Sequence, residues 1–321
     1  MSTSPRKNCR VAIVGAGYMA DEHAKAFKAI EGVKLVGIHS RTKARAEALA
    51  VKHGIDKVYE SIQELYNSAN ADLVVITVPE LSVRQVCEEC FNFPWTCLIE
   101  KPAGYNLADA EAIQKAAESR GVNAYVALNR RHYSSTRAVL RDLKSNDQPR
   151  LVHLQDQEAP TAALKAGQPE LVVENWMFAN SIHVIDLFDV FARGNLVDVT
   201  PLISWQPGSP GYVFSKLTYD SGDIGIYQAV WDAPGPWSAV VNTPVKRWEM
   251  RPLERASYQN SGERQLQAVD IEGIDVDFKP GLFRQAELAV AATRGLNPKE
   301  LPTLATALKS MRLTSRIYGL G

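Results

Sequence analysis

The 321-residue chain lacks the features that would remove a protein from water or tie it to a polyanion. No apolar run approaches the length of a bilayer span. Neither sign of charge is in excess, with 36 basic and 36 acidic residues, so neither nucleic acid nor a membrane surface is an expected partner. There are no internal repeats and no low-complexity tract, which argues against a solenoid or a linker-rich chain. Met1 to Asn8 is short and polar, without the apolar core of a signal peptide, and the expectation is a cytoplasmic protein.

Cysteine is scarce, at Cys9, Cys87, Cys90 and Cys97. Cys87-Glu-Glu-Cys90 has the spacing of a metal or redox pair. A second pair is missing, no histidine lies near in sequence, and Ser82 to Phe91 reads as a helix. Two reduced thiols packed on that helix, with no metal, are therefore expected. What remains is an ordinary globular balance of 45% hydrophobic and 22% charged residues, long enough for two domains with cores of their own.

The first ~125 residues alternate strand and helix patterns, as parallel α/β units do. Arg10–Val14, Val33–Ile38, Asp72–Val78, Thr96–Ile99 and Val122–Ala127 read as strands. Ala20–Ile30, Lys43–His53 and Leu107–Arg120 read as helices, the last two ended by Gly54 and Gly121. The rhythm then changes. Leu151–Gln157 is a strand, and Ser181–Ala192 a helix with Ile182, Ile185, Phe188 and Ala192 on its apolar side. Val197–Asp270 reads as an antiparallel meander turning at Pro207-Gly208, Asp220-Ser221-Gly222 and Ser261-Gly262. Helices at Leu282–Arg294 and Thr303–Tyr318 close the chain. This predicts a doubly wound dinucleotide-binding domain over residues 1–127. Residues 128–321 are then an α+β domain of open, mostly antiparallel sheet, with the last helix packing back toward the first domain.

Two motifs carry chemistry. Val11-Ala-Ile-Val-Gly15-Ala-Gly17-Tyr18-Met19-Ala20 is strand, tight turn and helix start. Gly15 permits the turn, Gly17 lets backbone approach a pyrophosphate, and Ala20 lets the helix lie on the strand. The helix N-terminus then offers N–H groups to phosphate. An acidic residue after the second strand would grip a ribose 2′-hydroxyl. This chain has Ile38-His39-Ser40-Arg41-Thr42-Lys43 instead, so Ser40 and Arg41 favour NADP over NAD. The second motif is Glu100-Lys101-Pro102, where the Thr96–Ile99 strand delivers a cationic amine to the rim of a sheet.

Together with Thr77-Val78-Pro79, Asn129-Arg130-Arg131 and His183-Val-Ile-Asp186-Leu187, these motifs resemble the Gfo/Idh/MocA oxidoreductases over nearly the whole chain. The resemblance implies a nicotinamide cofactor and hydride transfer with a secondary alcohol or ketone of a sugar, cyclitol or nucleotide-sugar. It also implies homodimers or homotetramers formed through the open sheet. It places Lys101 beside the nicotinamide, hydrogen-bonded to the reacting oxygen, where a cation stabilises a developing alkoxide. It makes His183 the proton acceptor. It puts Gly15, Gly17, Tyr18, Met19, Ser40, Arg41, Thr77, Val78, Pro79, Glu100, Lys101, Asn129 and Arg130 against the cofactor, and Lys101, Asn180 and His183 against the substrate.

The chain departs from the family pattern in two places. The acid usual four residues before the histidine is Ala179, with Asn180 the nearest polar substitute, and a glycine-rich stretch is replaced by Glu174-Asn-Trp176-Met-Phe178. Asp186 reads as structural, and Trp176 and Tyr105 as packing. Arg130, Arg131 and His132 read either as a site for a carboxylate or phosphate or as ordinary ion pairing. Ala179 keeps open a sensor that binds cofactor without turnover. Non-redox sugar cleavage with recycled NAD is a third possibility.

Overall fold

The computed structural model describes residues 8–207 and 211–320. Met1–Lys7 and Gly208 of the expected Pro207-Gly208 turn lie outside the described residues. The chain divides into two compact units. One holds residues up to Asn129 together with Asp277–Leu308, and the other holds Arg130–Val276 and the remainder from Lys309. The C-terminal segment therefore crosses from one unit to the other within its last helix.

The first unit alternates strand and helix: β1 (Cys9–Val14), α1 (Tyr18–Lys28), β2 (Val33–His39), α2 (Lys43–His53), β3 (Val58–Tyr59), α3 (Ile62–Ala69), β4 (Leu73–Ile76), α4 (Val83–Cys90), β5 (Thr96–Ile99), α5 (Leu107–Arg120) and β6 (Ala124–Val126). The strands form one parallel sheet in the order β3-β2-β1-β4-β5-β6. Strands β1, β4 and β5 are almost wholly apolar because helices cover both faces of the sheet. The order reverses between β1 and β4, and in such sheets the crevice at the strand C-termini there takes ligands. Strand β3 was not expected, because its two residues are too few for a periodic signal. Helix α3 is a further element beyond the sequence reading, and Ser61 caps it by accepting from the Glu64 N–H at 3.0 Å.

The second unit contains α6 (Ser134–Leu143), β7 (Leu151–Glu158), α7 (Pro160–Lys165), α8 (Glu170–Glu174), a wide π turn at Met177–Ser181, α9 (Ile182–Ile185) and α10 (Leu187–Phe191). Strands β8 (Leu196–Ile203), β9 (Tyr212–Tyr219), β10 (Ile224–Trp231), β11 (Ser238–Asn242), β12 (Lys246–Met250), β13 (Ala256–Asn260) and β14 (Gln267–Val269) follow. Then come α11 (Ile274–Asp277), α12 (Leu282–Thr293) and α13 (Leu304–Tyr318), of which α12 belongs wholly to the first unit and packs on α1.

The eight strands run β14-β13-β12-β11-β7-β10-β9-β8. The expected meander is interrupted. Strand β7 inserts between β11 and β10, pairing parallel with β10 and antiparallel with β11. Sequence neighbours β10 and β11 are thereby separated, a long-range pairing that local periodicity does not encode. The expected helix at Ser181–Ala192 also differs. Its helical path starts at Met177 and opens into the π turn before α9.

Candidate functional site

Strand β1 ends at Val14, and Gly15 turns the chain with φ 115°. A β-carbon at Gly15 would meet the Thr77 carbonyl oxygen at 2.3 Å, so only glycine lets the loop lie against the end of β4. Thr77 locks the approach by donating its hydroxyl to the Val14 carbonyl at 3.1 Å. Gly17 caps α1 without a side chain, and a β-carbon there would meet nothing within 4 Å. The backbone at Gly17 therefore faces open space, as a pyrophosphate at a helix N-terminus requires.

That space is one cavity of about 520 Å³ in the first unit. Gly15, Gly17, Tyr18 and Met19 line it from the loop and α1, Ser40 and Arg41 from the end of β2, Thr77, Val78 and Pro79 from the end of β4, and Glu100 and Lys101 from the end of β5. Eleven residues read from separate stretches of sequence thus meet at the reversal point of the sheet. The sequence reading missed Thr42, Arg45 and Gln85, which line it too. Arg45 was detectable from its place in the first turn of α2, four residues after Arg41. Ser40 accepts from the Thr42 N–H at 3.2 Å, and Lys43 pairs with Glu60. Arg41 and Arg45 are exposed and form no ion pair among the described residues.

Glu100 is buried, and its carboxylate reaches the equally buried His23 imidazole of α1 at 2.7 Å. Its other oxygen accepts from the Lys101 N–H at 3.1 Å. The Lys101–Pro102 bond is cis. Asn129 does not line the cavity. Its amide donates to the Pro280 carbonyl at 3.0 Å, within the first unit. The four cysteines are buried free thiols, and burial raises each above its usual range.

The other predicted residues belong to the second unit. His183 is buried on α9, its ring centroid 6.4 Å from that of Trp237. Trp237 donates its indole N–H to the Gln157 carbonyl at 2.7 Å, and the Arg130 guanidinium lies 4.2 Å over the same indole. No sequence pattern marked Trp237, since an indole in a loop between strands carries no periodicity. Arg131 makes two 2.6 Å hydrogen bonds to Asp186, which also accepts from Ser310 at 2.7 Å. Burial opposes the charge on Arg131, and Asp186 more than offsets it, so the guanidinium stays above its usual range. Arg131 and Asp186 are a structural pair.

A buried carboxyl cluster was not foreseen. Asp156 and Glu158 are two residues apart on one face of β7, and both side chains are buried. Glu158 accepts from the Trp176 indole at 2.6 Å, the Asn180 amide at 2.8 Å and the Ser181 hydroxyl at 3.2 Å. Asp156 accepts from Tyr227 at 2.6 Å, and Tyr227, Tyr318 and Ser181 complete a hydroxyl chain back to Glu158 at 2.8 Å and 3.2 Å. Burial, then the adjacent Asp156 charge, pushes Glu158 well above the carboxyl range. Trp176 and Asn180 are thereby held by one carboxyl, which fastens the wide turn leading to His183.

Residues 9–128 match the oxidoreductase family with an NAD-binding Rossmann fold, Gfo/Idh/MocA. The chain is 24% identical to 4-carboxy-2-hydroxymuconate-6-semialdehyde dehydrogenase of Sphingobium sp. strain SYK-6, over 90% of this chain and 92% of that protein. It is 29% identical to the NADP-dependent scyllo-inositol 2-dehydrogenase of Bacillus subtilis, over 35% of this chain and 34% of that protein. The chain thus spans about a third of the inositol enzyme's length. In fold it is similar to UDP-N-acetylglucosamine 3-dehydrogenase from Acidithiobacillus ferrooxidans, with a TM-score of 0.77, 17% identity and 97% of each chain covered. The glycine loop and the Lys101 strand end lie inside the stretch that matches the Gfo/Idh/MocA oxidoreductase family, and the similarity to the Sphingobium dehydrogenase extends over 90% of the chain.

Proposed function

We propose that the protein transfers a hydride between NADP(H) and a secondary alcohol or ketone of a sugar-like or cyclitol-like substrate. One observation carries this reading. The cavity at the sheet's reversal point joins a glycine loop, a cation-lined end at Ser40, Arg41 and Arg45, and the Glu100-Lys101 rim. The cofactor, when bound, supplies the hydride donor or acceptor. Gly15, Gly17, Tyr18 and Met19 hold its pyrophosphate, Thr77, Val78 and Pro79 wall its central stretch, and Glu100 fixes the strand end that carries Lys101. Ser40 and the two arginines hold a 2′-phosphate, because no carboxylate follows β2 to repel it.

Lys101 carries a positive charge to the substrate oxygen, where it stabilises negative charge that develops as the hydride departs. His183 takes or returns the hydroxyl proton, and Asn180, held by Glu158, orients a substrate hydroxyl. With no acid at Ala179, the imidazole works without a carboxylate one helical turn before it. The inositol relative supports cyclitols as substrates, and the Sphingobium relative adds carboxylated semialdehydes to the compounds worth testing.

Copies of the chain pair through the open sheet. Val197, Leu202, Ile203 and Tyr212 stand exposed on β8 and β9, and sedimentation of Ile203→Asp against the unmodified protein measures the pairing. The catalytic reading is tested by mixing the purified protein with NADPH or NADH and a panel of keto-sugars, cyclitols and sugar acids. Turnover with NADPH is expected. Absence of turnover across the panel with NADPH binding intact sinks the reading.

Ala179 favours a second reading, a cofactor-binding sensor. Lys101→Ala separates the two. An enzyme loses turnover by about 100-fold or more at unchanged cofactor affinity, whereas a sensor changes only its association with a partner.

A further inference from the structure

Three basic residues follow β6, and the structure places them differently. Arg131 is bound to Asp186 and Asp189, and His132 is buried within the second unit. Arg130 forms no ion pair among the described residues, and its Nε is buried with no hydrogen-bond partner among them. Its guanidinium instead lies 4.2 Å over the Trp237 indole. Burial lowers its basicity, yet a guanidinium stays charged under any condition the fold survives. Glu254, Asp156 and Glu158 act on it through space and favour its charge, but none of them forms an ion pair with it.

Trp237 is a fixed platform. Its indole N–H is committed to the Gln157 carbonyl, and its ring lies near His183, at 6.4 Å between centroids. Arg130 and His183 are therefore displayed around one rigid aromatic surface of the second unit. A half-buried guanidinium with no ion-pair partner among the described residues and an unpartnered Nε leaves its fork open to a planar anion.

We propose that Arg130, stacked on Trp237, is the subsite for a carboxylate of the substrate, so that the enzyme acts on hydroxy or keto sugar acids and related carboxylated compounds in preference to neutral sugars. A carboxylate fits better than a phosphoryl group. One guanidinium offers a single compensating charge, and Arg131 beside it is already spent on Asp186 and Asp189. This inference rests on the oxidoreductase reading above for its reaction but not for its binding. It also moves Arg130 from the cofactor to the substrate.

The test titrates D-glucuronate, D-gluconate and L-tartrate, with D-glucose and myo-inositol as neutral counterparts, into the NADP-loaded protein, measuring heat. At least one carboxylate is expected to bind tenfold or more tighter than its neutral counterpart. Arg130→Gln removes that preference, and Arg130→Lys, which keeps the charge and loses the fork, restores part of it. A thermal melt of each variant in complex with NADP verifies that it folds. Where turnover is seen, Arg130→Gln raises KM for the carboxylated substrate by a larger factor than for the neutral one. No carboxylate preference in the unmodified protein overturns the proposal. So does an Arg130→Gln protein that keeps the preference while losing NADP affinity. Because binding is read without turnover, an inactive protein that still selects carboxylates sinks the oxidoreductase reading and leaves the carboxylate subsite at Arg130 standing.

Discussion

The buried imidazole of His23 and the carboxylate of Glu100 meet at 2.7 Å, joining the first helix to the strand end that carries Lys101. The contact spans 77 residues of sequence and places a histidine behind the motif that the sequence advertises. Glu100 is thus an anchor: one oxygen holds α1, and the other holds the Lys101 N–H. Replacing His23 with Ala leaves a buried carboxylate with one partner fewer, at a cost of about 1–3 kcal/mol. The expected outcome is a thermal midpoint lowered by several degrees, together with weaker NADPH binding, because the helix bearing the glycine loop loosens. A melt and a fluorescence titration measure both, and unchanged values for His23→Ala would refute the anchor.

The cofactor preference turns on the residues after β2. Ser40→Asp places a carboxylate where a 2′-phosphate is proposed to sit, and Arg41 and Arg45 have no acid of their own, among the described residues, to absorb it. NADPH affinity is expected to fall by at least tenfold, about 1.4 kcal/mol, while NADH affinity holds or improves. Paired Kd values for the two cofactors decide it. A variant that keeps its original ratio would remove Ser40 from the site.

How far the sequence carried depended on whether a signal was local. The glycine loop, the strand ends at Thr77 and Lys101 and the alternation of the first unit are all local patterns, and the cavity they line was legible residue by residue. His23 was not, since its partner is distant and a histidine inside an amphipathic helix has no signature. The second unit was less legible. Strand β7 takes its place in the sheet by parallel pairing with the distant β10, and the π turn is held by side chains reaching Glu158. Glu158 lies one residue beyond the expected strand Leu151–Gln157, and only its bonds from Trp176, Asn180 and Ser181 reveal its role. The return of Asp277–Leu308 to the first unit was likewise beyond linear reading, because it depends on α12 packing on α1.

Asp186 and Arg131 yield a test of stability separate from catalysis. The aspartate is nearly inaccessible, and it receives two 2.6 Å bonds from Arg131 and a third from Ser310. Asp186→Asn keeps the shape and removes the charge, leaving a buried guanidinium with only the exposed Asp189 opposite. A loss of about 3–5 kcal/mol is expected, since breaking one side of a buried pair strands the other charge. Urea unfolding measures it. A loss under about 1 kcal/mol would mean that the pair contributes little beyond its hydrogen bonds.

Glu158 couples stability to pH, and the sign follows from the direction of its shift. Burial and the Asp156 charge hold its folded-state pKa well above that of the unfolded chain, which is about 4.3. Below that value both states are protonated and Glu158 imposes no penalty. As pH rises above it, the unfolded chain releases the proton while the folded protein keeps it. Stability from this group then falls by up to about 1.4 kcal/mol per pH unit until the folded-state pKa is reached. A glutamine in its place, Glu158→Gln, does not ionise. The amide oxygen then accepts from Trp176 and Asn180, and the Ser181 hydroxyl turns to accept from the amide N–H. The Glu158→Gln protein should therefore gain on the unmodified one as pH rises from about 5 until the folded-state pKa is reached, while lowered carboxylates such as Asp21 and Asp223 act equally in both and cancel. Urea melts of the two proteins across that range give the difference directly. Parallel curves would mean that Glu158 is ionised in the folded protein and that the cluster on β7 is held by charge rather than by a retained proton.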